Sequence, residues 1–146
     1  MSTPAYPAPA TLDAAMAAVR ARGLRASTAR RLVLAALVNA KGPVTAQEIA
    51  TGLGGELPSS DLASVYRNLD TLERAELVHH VHAAHGPGRY VLADDTNGFL
   101  TCERCGTIEP ANPRALALIR GAVQKAFGYE ASFVHFPIVG VCRRCG

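Results

Sequence analysis

The chain has 146 residues, room for one ordinary domain or two very small ones. Hydrophobic types make up 49% and charged types 18%, which excludes global disorder; 26 alanines, 5% aromatics and no Trp leave each half-chain only a thin core, of the kind a structural metal reinforces. The formal charge of +3 is too mild to mark a nucleic-acid binder by itself, so the placement of the charges has to decide.

The longest strongly apolar stretch, Leu32 to Val38, falls far short of the ~20 residues that span a bilayer, so no membrane partner is expected. Met1 to Ala10 holds three prolines and no basic residue, unlike a secretory signal peptide. Residues 1–11 read as a disordered arm, and the chain is expected to be cytoplasmic, where its four cysteines suit metal or redox chemistry better than stable disulfides.

In chain order, Leu12 to Gly23 reads as a helix with Leu12, Ala15, Met16 and Val19 on one face. Ser27 or Thr28 caps a second helix to about Ala40, ended by Gly42-Pro43. Thr45 and Glu48 form a capping box opening a third helix through Leu53. Ser59, Ser60 and Asp61 offer caps for a fourth, about Leu62 to Ala75, with Leu62, Val65, Leu69 and Leu72 as its apolar stripe. Leu77 to Ala83 and Arg89 to Leu92 read as strands around a His85-Gly86-Pro87-Gly88 turn. Helices followed by a hairpin outline a winged helix-turn-helix, whose last helix enters the major groove. Ala93 to Gly98 reads as a hinge. Beyond it come a short strand carrying the first cysteine pair, a helix over Pro113 to Phe127, and a strand over Ala131 to Val141. This second part, about fifty residues, is too small to fold alone without a metal, a partner subunit, or both.

Cys102-x-x-Cys105 and Cys142-x-x-Cys145 are two identical spacings separated by 36 residues. Two residues between thiolates let both sulfurs reach one tetrahedral ion at ~2.3 Å, and the second pair closes the shell, so the site is read as structural zinc rather than catalytic metal. The rival is a dithiol oxidoreductase, which needs a CxxC that opens a helix.

Arg20, Arg22, Arg25, Arg30 and Arg31 fall within twelve residues that contain no acid, a pattern suited to phosphate oxygens. On the fourth helix, Ser64, Tyr66, Arg67 and Asn68 lie on and beside the face opposite its apolar stripe, where they could reach base edges or phosphates.

Gly23-Leu24-Arg25-Ala26-Ser27-Thr28-Ala29-Arg30 resembles the GLRxTxxR segment of the ferric uptake regulator (Fur) family, with Ser27 for the usual Thr. Ala63-Ser64-Val65-Tyr66-Arg67-Asn68-Leu69 resembles the family's recognition-helix motif ATVYRTL, and both cysteine pairs resemble its structural zinc knuckles. The resemblance implies an α+β chain: a winged helix-turn-helix DNA-binding domain at 12–93, a hinge at 94–98, and a small α/β dimerisation domain at 99–146 with the four-cysteine zinc site. It implies a homodimeric, metal-dependent repressor of metal homeostasis genes on a double-stranded, palindromic operator. Tyr66 and Arg67 would lie at the operator, with Arg25 and Arg30 on the backbone or minor groove.

The family's His-rich run before the first knuckle, of HHxHLxC type, is here Thr96-Asn97-Gly98-Phe99-Leu100-Thr101-Cys102, without a His. The family's His eight positions before Cys142 is here Val134, with His135 one step off; Glu109 is displaced by one from the usual acidic ligand. The sets still open for a second, regulatory divalent metal are His79, His80, His82, His85, Asp94, Asp95, Glu109 and His135, with His80, His82, Glu109 and His135 preferred and zinc favoured over iron, manganese or nickel. A constitutive, zinc-stapled DNA-binding protein with a lost sensor stays open beside this reading.

Overall fold

A computed structural model describes residues 11–93, 98–133 and 135–146. Most of the arm and the hinge, and Val134, therefore lie outside the described residues. The chain divides into two compact units, one holding residues up to His80 with Arg89–Ala93, the other Val81–Gly88 with the chain from residue 98 onward.

The first unit begins with α1 (Leu12–Ala21), where the Thr11 hydroxyl accepts the Ala14 N–H at 3.1 Å. In α2 (Thr28–Asn39) Ser27 plays the same part for the Arg30 N–H at 3.2 Å. The capping box forms at α3 (Ala46–Ala50): Thr45 Oγ1 accepts the Glu48 N–H at 3.2 Å and Glu48 accepts the Thr45 N–H at 2.8 Å. This helix stops three residues before the expected Leu53. Gly52 takes φ +67, and a Cβ there would lie 2.0 Å from the Leu57 carbonyl oxygen. The short turn α4 (Gly52–Gly55) that follows is left-handed at Leu53 and Gly54.

Asp61 caps α5 (Leu62–Arg74), accepting the Ser64 N–H at 2.9 Å. Val65, Leu69 and Leu72 are fully buried, whereas Leu62, in the first turn, is 37% exposed and stands outside the expected stripe. The hairpin of β1 (Val78–Val81) and β2 (Arg89–Leu92) forms a two-stranded sheet. Val44 extends it: its N–H donates to the Tyr90 carbonyl at 3.0 Å and its carbonyl accepts the Tyr90 N–H at 2.7 Å. Met16, Val19, Val33, Leu34, Leu37, Ile49, Val65, Leu69, Leu72 and Val78 form one core. At roughly 1.5–3 kcal/mol per large side chain removed from water, this cluster is what holds the helices together.

The second unit contains β3 (Phe99–Cys102), β4 (Ile108–Pro110), α6 (Pro113–Phe127) and β5 (Ile138–Gly140). Asn112 caps α6 with Pro113 following, and Gly128 closes it at φ 70. Strand β4 has no counterpart in the sequence reading. Strand β5 is far shorter than the expected Ala131 to Val141, since Pro137 cannot donate to a ladder. The sheet runs β4-β3-β5, with β3 antiparallel to β4 and parallel to β5. Helix α6 buries Leu116 but leaves Leu118 77% and Phe127 75% exposed.

Candidate metal knuckles and nucleic-acid interface

The parallel pairing of β3 with β5 places Cys102 opposite Gly140. Both strands thus end at the same edge of the sheet, and each is followed at once by a knuckle. The Glu103 N–H donates to the Gly140 carbonyl at 2.8 Å, joining the two turns. Within each knuckle the backbone folds back on its first cysteine: the Gly106 N–H meets the Cys102 carbonyl at 2.8 Å, and the Gly146 N–H meets the Cys142 carbonyl at 2.9 Å.

The four sulfurs lie within 4.8 Å of one another. Cys105 and Cys142 Sγ are 3.8 Å apart, matching the edge of about 3.8 Å in a tetrahedron with ~2.3 Å metal–sulfur bonds. That separation is too long for a disulfide at ~2.05 Å, and none of the four cysteines is in a disulfide. The donor set therefore fits a closed tetrahedral zinc. Cys102 ends a strand instead of opening a helix, so the dithiol-enzyme reading lacks its framework.

The backbone N–H groups of Cys105 and Cys142 both point at Cys102 Sγ at 3.4 Å. Donation from Cys105, then from Cys142, pulls the Cys102 thiol from 9.0 down to about 6. The hydroxyl of Thr107, 3.1 Å from Cys105 Sγ, lowers Cys105 as well. Cys145 is pushed up to about 12, chiefly because its proton is shared with the Cys142 sulfur and then with Cys105. A cation among the four would replace this shared-proton arrangement by thiolates throughout.

Two contributors escape the spacing pattern. Arg104, between the first two cysteines, donates to the Cys145 carbonyl at 2.6 Å and so ties one knuckle to the other. His85 Nε2 meets the Glu103 carbonyl, with its ring lying against Gly106, where a Cβ would be 3.5 Å from the imidazole. Neither contact has a sequence signal beyond the residue types.

Within the second unit, His82, Glu109 and His135 are not gathered around one point. Among the described residues, the four cysteines are the group of three or more His, Cys, Asp or Glu side chains that could hold one ion. His80 stacks on Tyr90, centroids 4.7 Å apart and planes within 8°. His82 lies one residue past β1; it stacks on Phe136 at 4.8 Å, and its N–H donates to the His135 carbonyl at 2.9 Å. Glu109 is exposed on β4, opposite Leu100. Phe99, at one position of the family's His run, is 1% exposed.

In the first unit, Arg67 is exposed on α5 and Tyr66 is 42% exposed. Arg25 is exposed just before α2. Arg30, Ser64 and Asn68 are half-buried and bonded together: Arg30 Nε donates to Asn68 Oδ1 at 3.2 Å, and Asn68 Nδ2 donates to the Ser64 carbonyl at 2.9 Å.

The sequence model of the Ferric uptake regulator family matches residues 21–136. The chain is 27% identical to the peroxide operon regulator of Bacillus subtilis (strain 168) over 134 residues, 92% of each chain. The fold is similar to that of the Helicobacter pylori ferric uptake regulator Fur, with TM-score 0.72, 21% identity, and coverage of 96% of this chain and 97% of that one. It is also similar to the Pseudomonas aeruginosa ferric uptake regulator with manganese, with TM-score 0.68, 22% identity, and coverage of 87% and 96%.

Proposed function

Since the chain belongs to the ferric uptake regulator family of metal-responsive transcription regulators, we propose that it is a homodimeric, metal-dependent repressor of metal homeostasis genes that binds a palindromic operator. The observation that carries this reading is the exposed face of α5, with Tyr66 and Arg67 outward, beside the basic N-terminus of α2. Tyr66 and Arg67 would meet base edges, Arg25 would meet phosphates, and Arg30, Ser64 and Asn68 would complete the same surface. Cys102, Cys105, Cys142 and Cys145 would hold structural zinc, which supplies a closed, redox-inert cross-link.

A second copy supplies what α6 lacks. Leu118, Phe127 and Val139 are 77%, 75% and 57% exposed in the second unit, a burden of open apolar surface that suits a subunit interface. The dimer would space two recognition helices about one helical turn apart.

For the regulatory ion, imidazole and carboxylate donors suit several divalent metals, and zinc is the preferred one. The relative named as a peroxide regulator points instead towards peroxide sensing. The buried Phe99 at a position of the family's His run supports zinc over a histidine-rich iron centre. A second reading, constitutive DNA binding by a zinc-stapled protein, is favoured by the stacking of His80 on Tyr90 and of His82 on Phe136. In it, His80, His82, Glu109 and His135 would be no sensor.

Selection of duplexes from a random pool by the zinc-loaded protein tests the proposal, repeated with added zinc, iron(II), manganese and nickel. An enriched palindrome bound only with added metal is expected. An enriched palindrome bound equally without added metal would establish the constitutive reading, and enrichment of nothing would end both.

A further inference from the structure

The half-buried polar groups behind α5 do more than fill space. They form a continuous chain of hydrogen bonds from the cap of α5 to the loop before α2. Asp61 accepts the Ser64 N–H at 2.9 Å. Asn68 Nδ2 donates to the Ser64 carbonyl at 2.9 Å and lies 3.4 Å from Ser64 Oγ. Asn68 Oδ1 accepts Arg30 Nε at 3.2 Å, and Arg30 NH1 donates to the Arg25 carbonyl at 2.7 Å. The Arg30 N–H is itself held by Ser27 Oγ at 3.2 Å.

Both ends of the Asn68 amide are engaged inside the protein. An asparagine that reads adenine needs the same two ends, donor and acceptor, for the base edge. The Arg30 guanidinium likewise spends two of its nitrogens on protein oxygens, in a fork that fixes its plane. On a helix, Asn68 and Ser64 share one flank at i, i+4, whereas Arg67 is turned by about 100° towards the centre of the open face. The bonded flank and the open face are thus neighbouring strips of one helix. The bridge joins residues 38 apart in sequence, so it couples α2 to α5 rather than tightening one helix.

We infer that Arg30, Asn68 and Ser64 form a brace that sets the position of the basic start of α2 against α5, making Asn68 and Arg30 positioning residues for DNA recognition rather than base or phosphate contacts. The brace holds the Arg25 carbonyl, and hence the backbone that carries the Arg25 side chain, at a fixed offset from Arg67. A phosphate-directed arginine and a base-directed arginine then fall in register with one duplex. Loss of the brace leaves both arginines present but no longer aligned, which costs the site-specific complex more than the random one.

The inference rests on the DNA-binding reading, and its test separates the two. The full-length, zinc-loaded wild type and the variants Asn68→Ala, Asn68→Asp, Arg30→Gln and Asn68→Ala/Arg30→Gln are titrated against the selected duplex and a random duplex at several salt concentrations. If the wild type selects no sequence, the functional reading itself fails. Given a selected duplex, Asn68→Ala and Arg30→Gln are each expected to lower the specific-to-random affinity ratio about tenfold, with the double variant no worse than either single one, as for groups acting through one bond. The salt slope should stay unchanged in Arg30→Gln, because no phosphate contact is lost. Asn68→Asp keeps the oxygen that faces Arg30 and, in place of its donation to the Ser64 carbonyl, can accept the Ser64 hydroxyl 3.4 Å away, so it should retain the wild-type ratio to within about threefold; a base-reading asparagine would lose its donor and gain a charge facing the duplex. A salt slope reduced by about one in Arg30→Gln, relaxed preference at a single base pair in Asn68→Ala, or additive losses in the double variant would each overturn the brace. Thermal unfolding of every variant shows whether a loss reflects an unfolded chain; for any that unfolds, Asn68→Asp carries the decision.

Discussion

Arg67 occupies the centre of the open face of α5, and nothing in the bonded strip behind it uses its guanidinium. Arg25 sits outside the helix, with its carbonyl tied down by Arg30. The two should therefore fail differently. Arg67→Ala is expected to cost about 1–3 kcal/mol on the selected duplex and to relax preference at one position. Arg25→Ala is expected to weaken binding to every duplex alike and to lower the salt slope by about one. Fluorescence anisotropy on selected and random duplexes measures both; equal loss on the two duplexes for Arg67→Ala would remove its base-reading role. At this scale the sequence was most informative where chemistry depends on spacing. The cysteine pairs could be read directly, because two intervening residues already constrain where both sulfurs point. The contact of Arg30 with Asn68 could not, because 38 residues of folding stand between them. Nor could the stacking of His80 on Tyr90, which depends on how the hairpin strands pair.

Elements with strong local punctuation were legible: the capping box of α3, the Asp61 cap of α5, and Pro113 and Gly128 at the two ends of α6. Strands in the second unit were not. Ile108–Pro110 is three residues long, too short to show a period, and it exists because Phe99 to Thr101 offer it a ladder. The end of α3 turned on a different matter, the tight backbone approach at Gly52. A Cβ there would meet the Leu57 carbonyl oxygen at 2.0 Å, and φ +67 disfavours any side chain. Gly52→Ala is expected to destabilise the first unit by about 2 kcal/mol or more, through strain and displacement of the α4 turn. Thermal unfolding followed by circular dichroism checks this. A change within about 0.5 kcal/mol would mean that the 52–57 turn relaxes freely.

At the scale of the whole chain the two units rest on different supports. The first has a contiguous apolar core drawn from four helices and the hairpin. The second buries few large side chains, Phe99 and Leu116 foremost, and leaves α6 largely open. Removing bound metal with a chelator should therefore melt the second unit while the helical signal of the first persists; calorimetry with circular dichroism would show it, and loss of both transitions together would contradict it. Acid should act in the same direction. Donation to its sulfur lowers folded Cys102 from 9.0 to about 6, so its contribution is complete above 9.0 and is lost as pH falls through about 6. Cys145, raised to about 12, has the opposite sign and loses its contribution only as pH rises through about 12. Protons compete with metal for the same thiolates, so acidification should also release the metal, at lower pH than the metal-free thiols titrate.

The alignment of Cys102 with Gly140 has a topological outcome. An ion gripped by both knuckles would close the 36 residues between Cys105 and Cys142 into a ring containing β4, α6 and β5. By the chain-entropy relation used for disulfides, such a closure lowers the freedom of the unfolded segment by about 4 kcal/mol. The ring would stay closed after its packing had melted. A backbone cut in the exposed stretch around Tyr129 would then open the ring without freeing a fragment, the two pieces remaining leashed through the ion.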